Sequence, residues 1–197
     1  HANIEHCYVN TSNIKGYRIV GGIIGIISND MELNSSYVKN SNIEGKDEIV
    51  GGLCGENHSS NEDTTITESP LTGNHRYSYF YSKINKSYVN HTIVSGSLDV
   101  GGICGLNNGT NYNNSISYSQ INNCYSNSFV NRNVNSNSVS FGGIIGDNYN
   151  SNGVVNNSYY NSSWNSNNIA NVTENNTITE NNSTMYVRDT NLMKNNT

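Results

Sequence analysis

A six-residue phrase occurs four times in this chain of 197 residues: VGGIIG at 20–25, VGGLCG at 50–55, VGGICG at 100–105 and FGGIIG at 141–146. Successive copies lie 30, 50 and 41 residues apart. Units this short cannot each bury a core of their own. They must stack, and stacking dictates the architecture before any other consideration.

The phrase closes a longer unit. Upstream of each copy stands a small residue followed by tyrosine: Cys7-Tyr8, Ser36-Tyr37, Ser87-Tyr88 and Cys124-Tyr125. A fifth pair, Ser158-Tyr159, has no Gly-Gly after it, so the stack is expected to end there. An aliphatic residue precedes each tyrosine by four positions: Ile4, Leu33, Ile84, Ile121 and Val155. In the first three units another aliphatic follows, with a glycine beyond it: Ile14 and Gly16, Ile43 and Gly45, Val94 and Gly96. The fourth unit carries extra residues around 131–138, and the remaining length falls into inserts at about 56–82 and 106–119.

Each unit breaks into short apolar runs separated by Gly, Asn and Ser, a pattern of strands and turns rather than helix. Asn makes up about a fifth of the chain and favours turns. The predicted fold is all-β: a parallel β-helix-like β-solenoid of about four to five irregular rungs with loop inserts, filling 1–160. The Asn/Thr-rich segment 161–197 is expected to be a cap or linker. With rungs about 4.8 Å apart, Ile23, Leu53, Ile103 and Ile144 form one interior ladder. Ile4, Leu33, Ile84, Ile121 and Val155 form another. The tyrosines stack on an outer face, and asparagines at repeated turns form amide ladders.

The unit "INKSYVNHTIVSGSLDVGGICGLNNGT" resembles the GLUG repeat. That family is found in large secreted surface proteins, including bacterial adhesins and non-catalytic regions of IgA-peptidase-like proteins. The resemblance covers 4–160, and the tail, "SYYNSSW" followed by "VRDTNLMKNN", is similar to the segment that closes such arrays. It implies a β-solenoid that serves as scaffolding, and it carries over no catalytic residue. The chain departs from the family pattern in its Asn richness and irregular inserts.

The formal charge is −5 with 13% charged residues, which leaves no basic stripe for nucleic acid. The longest apolar stretch, 20–27, contains three glycines and is too short to span a bilayer. The first rung begins almost at His1, as expected of a processed chain or a piece of a longer one. Fourteen Asn-x-Ser/Thr sequons occur, among them Asn10, Asn34, Asn57, Asn85, Asn90, Asn108, Asn113, Asn156, Asn161 and Asn171. They are either N-glycosylation sites of a secreted protein or the chance product of this composition.

Cys54 and Cys104 share one column of adjacent units, so they form either a disulfide or two buried thiols. Cys7 and Cys124 share another column three rungs apart, near 14 Å at about 4.8 Å per rung, and are expected to be unpaired or bonded between subunits. The histidines are scattered and no Cys-x-x-Cys occurs, so neither a metal nor another cofactor is implied. The stretch DNYNSNG at 147–153 lacks the closing acidic ligand of a calcium loop and reads as a solvated turn. Glu56, Glu62, Asp63 and Glu68 read as a solvated loop.

No nucleophile elbow or Ser/His/Asp set appears, and an enzyme is not expected. The leading functional expectation is a building block of an extracellular filament, coat or surface appendage that self-assembles, head to tail or laterally. It would work outside the cell or on a cell or virion surface. The alternative is an adhesin that binds a surface glycan or protein through Tyr77, Tyr79, Phe80 and Tyr81. These aromatics either contact ligand or, for Tyr79 and Tyr81, face inward in an extra strand. A polysaccharide-acting β-helix enzyme is the distant third.

Overall fold

The computed structural model describes residues 2–60, 79–110, 116–133, 140–149, 152–161 and 185–188. They form a β-solenoid. Coil 1 contains β1 (Ala2–Glu5), β2 (Tyr8–Asn10), β3 (Asn13–Gly16), β4 (Ile19–Gly21) and β5 (Ile24–Ile27). Coil 2 repeats this as β6 (Met31–Asn34), β7 (Tyr37–Lys39), β8 (Asn42–Gly45), β9 (Ile49–Gly51) and β10 (Cys54–Ser59). Coil 3 fuses the second and third strands: β11 (Tyr79–Asn85), β12 (Tyr88–Gly96), β13 (Asp99–Gly101) and β14 (Cys104–Gly109). Coil 4 follows with β15 (Ile116–Asn122), β16 (Tyr125–Arg132), β17 (Ser140–Gly142) and β18 (Ile145–Tyr149). A partial coil 5 holds β19 (Gly153–Asn156) and β20 (Ser158–Asn161), and β21 (Met185–Arg188) pairs above β20. The stack therefore gains one strand beyond Tyr159, where the sequence pattern ends. Among the described residues no helix is long and apolar enough to cross a membrane.

Equivalent strands pair in parallel into four sheets, one per side of the coil. The first runs β1-β6-β11-β15-β19; the second contains β2-β7-β12-β16-β20-β21, with β3 and β8 alongside. The third is β4-β9-β13-β17 and the fourth β5-β10-β14-β18. Ile4, Leu33, Ile84, Ile121 and Val155 pair in register, as expected. At the corner the N–H of Ile23 donates to Leu53 O (2.9 Å), that of Leu53 to Ile103 O (2.9 Å) and that of Ile103 to Ile144 O (2.8 Å). Leu33, Leu53, Ile84, Ile103, Ile121 and Ile144 are fully buried. Each such side chain contributes roughly 1.5–3 kcal/mol through burial.

The corner phrase needs its glycines for close approach. A Cβ on Gly51 would lie 1.8 Å from Cys54 O, and one on Gly105 would lie 2.5 Å from Ile49 Cγ2 and 2.8 Å from Val50 N. The second contact shows that the fourth sheet of each coil lies directly on the third sheet of the coil before it.

Two further corners are left-handed. His6, Ser35, Lys86, Asn123 and Asn157 form one column with φ between 45° and 55°; Thr11, Asn40 and His91 form another. A small residue follows each one in the first column and receives the strand beneath. Ser36 Oγ donates to Asn34 O and accepts from Cys7 N; Ser87 Oγ does the same for Asn85 O and Ser36 N. Ser158 Oγ repeats the pattern with Asn156 O and Cys124 N. These hydroxyls satisfy the backbone groups that the turn removes from the ladder.

The strands reach further than the apolar pattern alone indicated. β10 continues to Ser59 and β14 to Gly109, while β11 begins at Tyr79 and β15 at Ile116. The expected inserts, 56–82 and 106–119, shrink accordingly. The cause is a polar interior column. Asn57 Nδ2 donates to Asn107 Oδ1 (2.8 Å) and Asn107 Nδ2 to Asn148 Oδ1 (2.8 Å), with all three residues buried. Below Asn57 the column ends on Ile27.

Candidate functional site

The cysteines fall where the columns placed them. Cys54 pairs in register with Cys104, and both are buried free thiols. Parallel in-register side chains project the same way, so their Cβ atoms stay about 4.8 Å apart. A disulfide needs roughly 3.5–4.5 Å. Each thiol instead donates to a carbonyl: Cys54 Sγ to Glu56 O (3.0 Å), Cys104 Sγ to Leu106 O (3.1 Å). Burial, with the Cys54 thiol beside it, pushes the Cys104 thiol well above its ordinary range. Burial also pushes Cys124 up to about 12. Cys7 and Cys124 lie three rungs apart, in the column that also holds Ser36 and Ser87.

The sequons divide by exposure. Asn57 and Asn161 are fully buried, with Asn161 Nδ2 donating to Asn127 Oδ1 (2.8 Å), so the folded coil has no room for a glycan at either. This corrects the expectation for those two. Asn10 is exposed, and Asn34, Asn85, Asn90, Asn108 and Asn156 are half-buried. Asn113 and Asn171 lie outside the described residues.

The aromatic run is strand rather than free loop from Tyr79 onward. Tyr81 stacks on Tyr118 (centroids 5.7 Å apart) with Lys83 Nζ 5.2 Å from its ring. Alternation puts Phe80 on the side of buried Ser82 and Ile84, so Tyr81 faces outward, not inward as one reading had it. Tyr77, Glu62, Asp63 and Glu68 lie outside the described residues. The expected tyrosine stack is present: Tyr8, Tyr37 and Tyr88 stack at 5.4 and 5.1 Å, and Lys39 reaches over two of the rings.

A concave feature lies on the seam between the third and fourth sheets, at coils 3 and 4. Along the third sheet one outer column reads Ile19, Ile49, Asp99, Ser140. Along the fourth it reads Ile26, Glu56, Leu106, Asp147. Each fourth-sheet strand rests on the coil before it, so Asp147 comes to Asp99. The two are 7% and 9% exposed. They floor a groove of about 400 Å³ whose walls are Leu98, Leu106 and Tyr149, with Asn108 and Ser140 at its sides. Burial, then Asp147, then Glu56 raise the Asp99 carboxyl to about 7. Burial raises Asp147 as well, partly offset by the Asn148 N–H. Asp147 Oδ1 has no hydrogen-bond partner.

Sequence reasoning did not single out Asp99, and it placed Asp147 in a solvated turn. Asp147, Asn148 and Tyr149 are in fact strand, with Asn148 turned inward and its Nδ2 bonded to Gly153 O (2.9 Å). Among the described residues no three His, Cys, Asp or Glu side chains are placed to share a metal ion.

No protein-family model matches the chain, and no curated protein does. A solved structure does share the fold: the 1.30 Å crystal structure of a putative immunoglobulin A1 protease from Bacteroides ovatus. The TM-score is 0.62 at 18% identity, over 98% of this chain and 51% of that one. This chain thus corresponds to about half of that molecule, and the likeness shows the fold alone.

Proposed function

We propose that the chain is a structural β-solenoid module of the GLUG-like kind, acting outside the cell or on a cell or virion surface. It builds a filament, coat or surface appendage by stacking copies end to end. The supporting observation is the lower face of coil 1. Ile4, Val9, Ile14, Ile23 and Ile24 are only partly buried there, whereas their columns close completely in the coils above. Among the described residues each of β1, β2, β3, β4 and β5 is also paired on one side only. An apolar, unpaired strand edge is a template for another strand. A second copy stacked on it supplies both hydrogen bonds and core, giving a heterologous contact that propagates.

Burial holds the Cys104 and Cys124 thiols protonated, which argues against either as a nucleophile. An adhesin is the competing reading, favoured by the outward Tyr81–Tyr118 pair. Electron microscopy and light scattering across a wide concentration range test the proposal. Filaments or concentration-dependent growth are expected, abolished by Ile14→Lys with the circular dichroism spectrum kept. Dispersed wild-type particles at high concentration overturn it. Specific glycan-array binding by such dispersed particles would favour the adhesin.

A further inference from the structure

We propose that the Asp99–Asp147 groove is a binding site for the cationic side chain of a partner protein or peptide, a lysine or arginine inserted head-first. Four observations converge on it. The same seam one coil lower is closed by apolar residues, because the Gly105 backbone brings Leu106 over Ile49. Two carboxyls are therefore not required to build the seam.

Among the described residues these carboxyls also lack a counter-charge. The charged groups that act on Asp99 are Asp147 and Glu56, both acidic. Five described cations are engaged elsewhere: Lys15 with Glu44, Arg18 with Glu48, and Lys39, Lys46 and Lys83 over tyrosine rings. Buried carboxylates ordinarily have a paired cation or a full set of hydrogen bonds. Asp147 Oδ1 has neither, although the residue is more than nine-tenths buried.

The walls define the ligand. Leu98 and Tyr149 are 37% and 49% exposed, and with Leu106 they form an apolar approach to an acidic floor. A long alkyl stem ending in an ammonium or guanidinium matches that sequence of surfaces, with the ring of Tyr149 available to the cation. About 400 Å³ accommodates one such side chain. A calcium ion fits less well, because it takes roughly six to eight oxygen ligands and the walls are hydrocarbon.

The test is titration of the full chain, followed by amide NMR, with the peptide acetyl-Gly-Gly-Lys-Gly-Gly-amide. The same peptide with norleucine for lysine and calcium chloride serve as controls. The lysine peptide is expected to shift the amides of Leu98, Asp99, Asn108, Ser140 and Tyr149 saturably. The norleucine peptide is expected to bind at least about tenfold more weakly, the value of a charge-assisted hydrogen bond. Asp147→Asn should weaken the lysine peptide by a similar factor. Equal binding of the two peptides would overturn the proposal in favour of a merely apolar groove. Calcium shifting these amides while the lysine peptide does not would overturn it in favour of a metal site. No response to any probe would mean that the pair holds only a proton. Should the variant fail to fold, the lysine-to-norleucine ratio on wild-type protein decides alone.

Discussion

Gly25 and Gly105 close the same corner phrase, yet they live in different surroundings. Beneath Gly105 lies coil 2, and an added Cβ would strike Ile49 and the Val50 nitrogen. Among the described residues no coil lies beneath Gly25, and the nearest atom to an added Cβ is Ile19 O at 3.5 Å. The glycine pattern is identical and the constraint is not. What makes the last glycine necessary is the neighbouring coil, not the turn itself. The core behaves the same way: Leu53 and Ile103 are sealed by neighbours on both sides, and Ile23 by one. Stability in this molecule belongs to interfaces between coils.

The most severe test of that contrast is the pair of alanine substitutions. Gly105→Ala should cost on the order of 4 kcal/mol or prevent folding, because backbone must move. Gly25→Ala should stay within about 0.5 kcal/mol. Urea midpoints measure both, and equal losses would break the comparison.

A second contrast runs along one column, where coils 1 and 2 carry Ile19 and Ile49 and coil 3 carries Asp99. The folded-state carboxyl of Asp99 titrates near 7, above its ordinary 3.8, so the folded protein binds that proton more tightly. The stabilisation is complete at pH below the unfolded value and is lost as pH rises through about 7. Asp147 on β18 and Glu56 on β10, the latter against His58, face it and reinforce the loss. Tyr149 also lines the groove. Melting temperature should fall between mildly acidic and mildly alkaline pH by the equivalent of a few kcal/mol at most. Asp99→Ile, which restores the residue of the lower coils, should flatten the profile. An unchanged slope in that variant would sink the assignment.

A smaller effect is expected from the amide column. Asn107→Ala removes the acceptor of Asn57 and the donor to Asn148, and should cost about 1–3 kcal/mol. A loss below a few tenths in the same urea series would mean that the ladder contributes only packing.

The parts legible in the sequence were those that repeat chemically. The aliphatic, tyrosine and Gly-Gly columns each keep one residue type, so periodicity exposes them. The left-handed corner does not: His6, Ser35, Lys86, Asn123 and Asn157 share a conformation and nothing else. Its signal was in the next residue, Ser36 or Ser87, whose hydroxyl role only the register reveals. Glu56–Ser59 reads as loop because its core residue, Asn57, is polar and buries itself through another asparagine fifty positions away. The Asp99–Asp147 pair spans two sheets and two coils. Asp99 carries no local motif and Asp147 opens a stretch that reads as a turn, so only the stagger between sheets brings them together.

The amide column has one consequence for how such a molecule can lengthen. Asn57 and Asn107 each donate to the asparagine above, while the lowest member faces Ile27, leaving Asn57 Oδ1 without a partner. Coil 3, with an asparagine beneath and above it, can be copied in tandem and the copy will find matching neighbours on both sides. Coil 1 cannot be moved inward without placing Ile27 between two amides. In genetic terms coil 3 is a duplicable cassette and coil 1 is not, so new length is expected to arise by copying coil 3.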